Sequence, residues 1–321
     1  ILTPEWGPCD ARPVTSWTHS SIMRPDFRLS RESVTALLNR LNQERRHGWG
    51  ALIEALVFLF WLASGAAYRV VSRVFAIPRA TVHCIVHRVT EEVVATRHQV
   101  IHLPRTPEDL DAMSNGFAQL AGHRAFVKAA GAIDCCHVRI KNRKLFPSII
   151  LQAVCDHQGR FVDTHVGWPG SVPDSRVLRH SPLYRQARYP PPRHFILADG
   201  GYPCLQHPLP LITPYKRPVH GTGAQHFNAH HSRARSVIDA GGAPHHPSQV
   251  ITACAVLHNI CIGAGDIVAP DEEPEDDAQD EGETGVEAVS GAHWRDQLSA
   301  EVSALEEVPP DHDYCQQSSI P

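Results

Sequence analysis

The sequence predicts an α/β domain built on a mixed sheet with flanking helices, preceded by a small all-α domain. Three observations carry that expectation. The apolar residues recur with a helical period over residues 28–102, then give way from Phe126 onward to short β-type runs. Two of those runs carry an aspartate where a buried carboxylate is costly, Asp134 and Asp199. The charge is also divided. Residues 265–321 hold 17 acids and one base, Arg295, so residues 1–264 carry a net charge of +12 although the chain as a whole stands at −4.

Residues 1–27 contain four prolines and little periodicity, and are expected to form an irregular lead-in. No basic segment followed by an apolar run opens the chain, so no secretory signal is expected. Ser30 is a plausible N-cap for a helix carrying Val34, Leu37, Leu38 and Leu41 on one face, with Leu29 and Val34 spaced as a hydrophobic staple. A second apolar helix covers Ala51 to about Ser64; its run Ala55–Ala63 is too short to span a bilayer, and no membrane partner is expected. Ala66–Phe75, the break Ala76-Ile77-Pro78 and a helix from Arg79 to Ala95 then have the shape of a helix-turn-helix. Val82, Ile85, Val86 and Val89 form its inward stripe, which leaves Arg79, His83, His87 and Arg88 as candidates to meet DNA phosphates or base edges. From Arg24 to Arg105 there are 12 arginines, no lysine and six acids. That excess suits a polyanionic partner, although the same geometry occurs in purely structural bundles.

Residues 103–124, with Pro104, Pro107 and Gly116, are expected to be a connector. An α/β domain follows over 125–264. Val127–Ile140, Ser148–Asp156 and Phe161–Trp168 are expected strands. Asp174 opens a helix with Val177, Leu178 and Leu183 as its apolar face, Phe195–Asp199 forms a fourth strand, and a last apolar helix runs from about Gln249 to Ile262. The order strand, strand, strand, helix, strand is the opening of an RNase H-like fold: an antiparallel meander, then a parallel strand beside the first. Residues 265–321 are expected to be an acidic disordered tail, because ten acids between Asp271 and Glu287 stand without an aromatic residue. Nine cysteines without framework spacing point to a reducing compartment.

In that topology Asp134 and Asp199 lie on adjacent strands. Two neighbouring carboxylates repel unless a cation or proton intervenes, and hard oxygen donors select Mg²⁺ or Mn²⁺. Such pairs serve phosphodiester cleavage, in which two cations roughly 3.5–4 Å apart activate the attacking oxygen and stabilise the leaving one. A third carboxylate completes the clamp; Asp239 and Asp174 are the candidates, and a structural role for Asp174 remains open. Arg143 and Lys144, after the first strand, could contact the phosphate backbone or simply be an exposed loop. His83 and His87 lie one helical turn apart, and Cys135-Cys136-His137 adjoin Asp134, but neither group has the spacing of a closed zinc site.

Several segments in order resemble one family. They are Gly131-Ala132-Ile133-Asp134, Asn142-Arg143-Lys144, Gln152-Ala153-Val154-Cys155-Asp156, Trp168-Pro169-Gly170-Ser171-Val172-Pro173-Asp174-Ser175-Arg176 and Ala198-Asp199-Gly200-Gly201-Tyr202-Pro203. Phe227-Asn228, His231-Ser232-Arg233-Ala234-Arg235 and Ala255-Val256-Leu257-His258-Asn259 extend them. From Arg28 to Ile262 the chain resembles the PIF/Harbinger transposases and the nucleases derived from them, members of the DDE superfamily. The resemblance implies an RNase H-like fold, a divalent-metal nuclease site, a helix-turn-helix-like N-terminal region, nuclear DNA as substrate and a Myb-like partner protein. The nucleus is therefore the expected compartment, with the cytoplasm as a second one; no small-molecule cofactor is implied.

Carried over by residue, Asp134 and Asp199 are the first and second catalytic carboxylates, and Asp239 stands where the family has a glutamate. The family helix then continues, whereas here Ala240-Gly241-Gly242-Ala243-Pro244-His245-His246-Pro247 interrupts it, so the domain reads as shortened near 240–250. The expected function is a metal-dependent DNA nuclease, a hydrolase of phosphodiester bonds. The alternative is an inactive descendant kept as a DNA-binding or protein-interaction scaffold.

Overall fold

The computed structural model describes residues 27–41, 49–139, 148–239, 248–266 and 290–306. The lead-in up to residue 26, Arg143 and Lys144, the interruption at 240–247 and the acidic run from 267 to 289 lie outside the described residues.

Four helices make the first layer: α1 (Arg31–Leu38), α2 (Gly50–Ser64), α3 (Tyr68–Phe75) and α4 (Arg79–Ala95), followed by the short α5 (Arg97–Val100). Ser30 caps α1 by accepting from the Ser33 amide at 3.2 Å. Asp266, far along the chain, accepts from the Ser30 amide at 2.6 Å and ties that cap down. Gly65, in the left-handed region at φ 59°, ends α2. Phe58, Leu59, Val71, Ile85 and Val89 pack into one core with Val256 and Ile260 of a helix more than 150 residues later. That helix, α10 (Ser248–Gly263), also lays Ile251 against Val138, Leu151 and Ala153 of the sheet. Buried on two sides, it joins the helical layer to the sheet. The Leu257-His258-Asn259 segment does the joining. Asn259 accepts from the Phe161 amide at 2.8 Å and donates to the Phe161 and Val100 carbonyls, while His258 Nε2 lies 2.8 Å from the Gly159 carbonyl.

Residues 107–121 are a helix, which corrects the expected connector. In α6 (Pro107–Ala121) Pro107 occupies the first turn, where its missing N–H costs nothing. Thr106 and Asp109 form a capping box, with Asp109 N–Thr106 Oγ1 at 3.1 Å and Thr106 N–Asp109 Oδ2 at 3.2 Å. Met113, Phe117 and Ala121 are its buried stripe. Gly116 faces the His157 ring so closely that a Cβ there would lie 2.2 Å from it.

The sheet runs β3-β2-β1-β4-β5, where β1 is Ala129–Arg139, β2 Ser148–Cys155, β3 Phe161–Pro169, β4 Phe195–Ala198 and β5 Leu211–Ile212. β1–β2 and β2–β3 are antiparallel; β1–β4 and β4–β5 are parallel. Two short helices, α7 (Asp174–His180) and α8 (Pro182–Gln186), connect β3 to β4. The fold is thus mixed α/β with a five-stranded mixed sheet, an order consistent with the expected RNase H-like class.

Helix α9 (Thr222–Asp239) lies on the sheet with Phe227, His231, Ala234 and Ile238 buried. Phe227 stacks on Phe126 at 5.8 Å, and Asn228 brackets the Tyr215 backbone, accepting from its amide and donating to its carbonyl. A last helix, α11 (Ala292–Glu306), packs against α9. Its Leu298 and Val302 are buried, and Trp294 meets Phe195 edge-on at 5.5 Å. Over 290–306 the structure therefore corrects the expected disordered tail. Trp294, Leu298 and Val302 recur every four residues, a core-facing stripe that the surrounding charge hides. Among the described residues no helix is long and apolar enough to cross a membrane.

Candidate active site

The parallel pairing of β1 with β4 sets the site. Ile133 is opposite Ala198, so the next residue on each strand is a carboxylate, Asp134 and Asp199. β1 is buried up to Ile133 and opens at Asp134, whose side chain is 26% exposed. Asp134 Oδ1 accepts from the Cys135 amide at 2.7 Å, and Oδ2 lies 3.4 Å from Arg235 Nη1 on α9. Asp199, just past β4, accepts from the Gly201 amide at 3.1 Å.

Asp174 at the start of α7 joins them. A Cβ placed on Gly201 would lie 3.3 Å from Asp174 Oδ2 and 3.3 Å from Asp199 Oδ1, so both carboxylates crowd the same glycine. Beneath them Cys135 Sγ lies 3.1 Å from the Tyr202 hydroxyl, and Gln152 Nε2 donates to that hydroxyl at 3.4 Å. Burial, then the adjoining Cys135 sulfur and the Asp174 charge, hold the Tyr202 phenol well above its ordinary value. Burial and the Asp174 charge push the Cys135 thiol up as well, and burial with the Asp134 charge raises Cys136 to about 11. Both cysteines are thus thiols at neutral pH, which makes them packing and hydrogen-bonding groups and not nucleophiles.

Asp134 thus faces the Arg235 guanidinium, while Asp199 and Asp174 share the space at Gly201. This arrangement fits a hard divalent cation in its donor chemistry: carboxylate oxygens, excess negative charge and a glycine that leaves the approach open. Among the described residues no three His, Cys, Asp or Glu side chains form a ready-made metal cluster, so the described groups do not close a ligand set by themselves. Position 239 ends α9 one turn beyond Arg235; the side chain of Asp239 lies outside the described residues.

Residues 133–243, beginning immediately before Asp134, match the family described as DDE superfamily endonuclease. The chain is 30% identical over 243 residues to the rat protein named "Putative nuclease HARBI1", covering 66% of this chain and 67% of that one. The human protein of that name is 29% identical over the same shares. "Protein ALP1-like" of Arabidopsis thaliana is 27% identical over 254 residues, 66% of this chain and 60% of its own.

The chain belongs to the Harbinger transposase-derived nuclease family of the DDE superfamily.

No solved structure matches this Harbinger-family chain. Membership supports a transposase-derived nuclease. Within that frame the other candidate residues separate. Arg79, His83 and His87 are exposed on α4 of the Harbinger chain, with the two histidine rings 4.3 Å apart and Tyr68 edge-on to His83 at 5.4 Å. Arg79 and His87 also line a cavity of about 890 Å³ with Trp61, Tyr68 and Gln249. Arg88 is different. It pairs with Glu54, which is 3% exposed inside the helical layer, so its charge is spent on the fold. Sequence reasoning missed Arg235 as a partner of Asp134; its signal was its place one turn before Asp239 in the His-Ser-Arg-Ala-Arg segment.

Proposed function

We propose that this chain is a divalent-cation-dependent DNA endonuclease with an RNase H-like catalytic domain, acting in the nucleus. The observation that carries the reading is the register of β1 and β4, which makes Asp134 and Asp199 neighbours beside Asp174. Asp134 and Asp199 would hold Mg²⁺ or Mn²⁺, with Asp239 or Asp174 as third carboxylate. When bound, the cations supply activation of the attacking oxygen and stabilisation of the leaving oxygen. The chain's own groups do the rest. The Cys135 and Gly201 amides fix one oxygen each of Asp134 and Asp199, and the Tyr202–Gln152 contact holds a water-excluding floor. Arg79, His83 and His87 are the proposed DNA contacts of the helical layer, in which α3, residues 76–78 and α4 would act as a helix-turn-helix. A Myb-like protein is the proposed partner, on the family resemblance alone.

A second reading, a non-cutting DNA-binding scaffold, is favoured by two observations. Position 239 is aspartate, one methylene shorter than the family's glutamate, and Arg235 already neutralises Asp134.

The deciding experiment is nicking of supercoiled DNA by purified protein with Mg²⁺ or Mn²⁺, against a chelator and Asp134→Asn. Cleavage lost in both controls supports the nuclease. Absence of cleavage by protein with native circular dichroism rejects it in favour of the scaffold.

A further inference from the structure

Helix α7 begins at Asp174, and with α8 it leads away from the carboxylates. From Asp174 to Arg193 the chain has five arginines, and Asp174 is the one acid. Val177, Leu178 and Leu183 are buried, which clamps both helices to the core and leaves Arg176, Arg185 and Arg188 exposed. Among the described residues these three form no ion pair. Ser181, fully buried, fixes the joint by accepting from the Tyr184 amide at 3.2 Å.

Cations from other elements gather beside the neighbouring edge strand β3. Arg97, Arg185 and His180 all face His165, against one carboxylate, Asp163. Burial first and then those cations lower the His165 pKa, and burial raises that of Asp163. The corner is rigid. Arg97 donates to the Thr164 carbonyl at 2.6 Å, Trp168 Nε1 donates to His165 Nε2 at 3.0 Å, and the Trp168 ring lies 4.9 Å from His180. Arg97 and Arg185 are thus two cations against the single carboxylate of Asp163, an excess that a spanning anion relieves.

We propose that α7, α8 and the β3 corner form a phosphate-binding surface that carries the DNA backbone to the carboxylates, with Arg176 and Arg185 as its principal contacts. This inference rests on the reading that the chain acts on DNA. The occupant is the sugar–phosphate backbone of duplex DNA. The exposed arginines follow Asp174 in succession through α7 and α8, which suits a repeating anion and carries no sequence code. Arg176 and Arg185 lie on other elements than Arg79, His83 and His87 of α4.

The test is binding of a labelled duplex by full-length protein across a salt series. Each phosphate contact contributes about 0.9 to the slope of log K against log salt. Arg176→Gln/Arg185→Gln is expected to lower that slope by about 2, Arg176→Lys/Arg185→Lys to restore it, and the charge-matched Arg31→Gln/Arg40→Gln, on α1 and just after it, to leave it unchanged. Protection of the amines introduced in the lysine variant from acetylation by bound duplex reads the same contact without charge removal. If the wild type binds with a salt dependence that the glutamine pair leaves intact, and DNA gives no protection, the inference falls while the DNA reading stands. Absence of any salt-dependent binding by the wild type overturns the DNA reading, and the inference with it.

Discussion

Arg235 and Asp134 face each other across the contact between α9 and β1, Nη1 to Oδ2 at 3.4 Å, with 17% and 26% of their side chains exposed. The guanidinium thus sits where a divalent cation would need to share the Asp134 carboxylate. Arg235→Gln removes that neighbour and leaves Asp134 beside two other carboxylates. The expected cost in cation-free buffer is about 1–2 kcal/mol, below that of a fully buried pair because solvent screens part of it. Mn²⁺ should then raise the thermal midpoint more in the variant than in the wild type, because a cation that binds only the native state stabilises it by mass action. A smaller Mn²⁺ response in the variant would mean that Arg235 orients Asp134 and does not compete for it.

The third carboxylate can be assigned by a pair of substitutions. Asp239→Glu adds the methylene that the family position has and is expected to increase nicking. Asp174→Asn removes a charge beside Asp199 while keeping the shape, and is expected to reduce nicking about 10–100-fold. If the rate is indifferent to Asp239→Glu, and to Asp239→Asn, residue 239 is outside the site and Asp174 is the third carboxylate.

Gly116→Ala tests the packing of α6 on the turn between β2 and β3. In most helices this change stabilises by up to about 1 kcal/mol. Here the new methyl would stand 2.2 Å from the His157 ring, so the sign reverses. A loss of about 1–3 kcal/mol is expected in urea unfolding. His157→Ala in the same chain should recover part of it.

His231 is buried in α9, its Nε2 3.0 Å from the Ile212 carbonyl, and burial lowers its pKa to about 4 from an ordinary 6.5. Between those values the unfolded chain takes up a proton that the native chain does not. This group's contribution to stability is therefore complete above pH 6.5 and is lost progressively as pH falls towards 4. The full loss is about 3 kcal/mol. His157, His165 and His258 are lowered in the same direction, again first by burial, and add to the slope. Urea unfolding at pH 7.5 and 4.5 should show the drop, and His231→Phe should flatten it. An equal drop in that variant would place the acid sensitivity elsewhere.

Legibility in the sequence followed how local each signal was. The runs around Ile133, Val154 and Leu197 are short and apolar, and their strands lie close to the expected bounds. Asp134 and Asp199 stood out because a carboxylate at the open end of such a run is costly without a partner. Helix α6 was hidden by Pro107, which breaks a helix interior but starts a first turn well. Helix α11 was hidden because Trp294, Leu298 and Val302 lie among charges, and strand β5 because two residues, Leu211 and Ile212, carry no period. Arg88 was counted on the outer face of α4; Glu54, on another helix, draws it into an ion pair.

The sequence by itself determined the class of fold, the pair Asp134 and Asp199, and the family to which the chain belongs. Each of these is written in neighbouring residues, as alternation, as a carboxylate within an apolar run, or as ordered short segments. The tertiary structure alone decided which distant groups share a space. It set Arg235 against Asp134, brought Asp174 to the glycine beside Asp199, placed α10 between the sheet and the helical layer, and tied Arg88 to Glu54. Such contacts depend on the packing of helices on a sheet, where a side chain's partner is fixed by burial and by register across strands, and neither is encoded in the residues next to it in the chain.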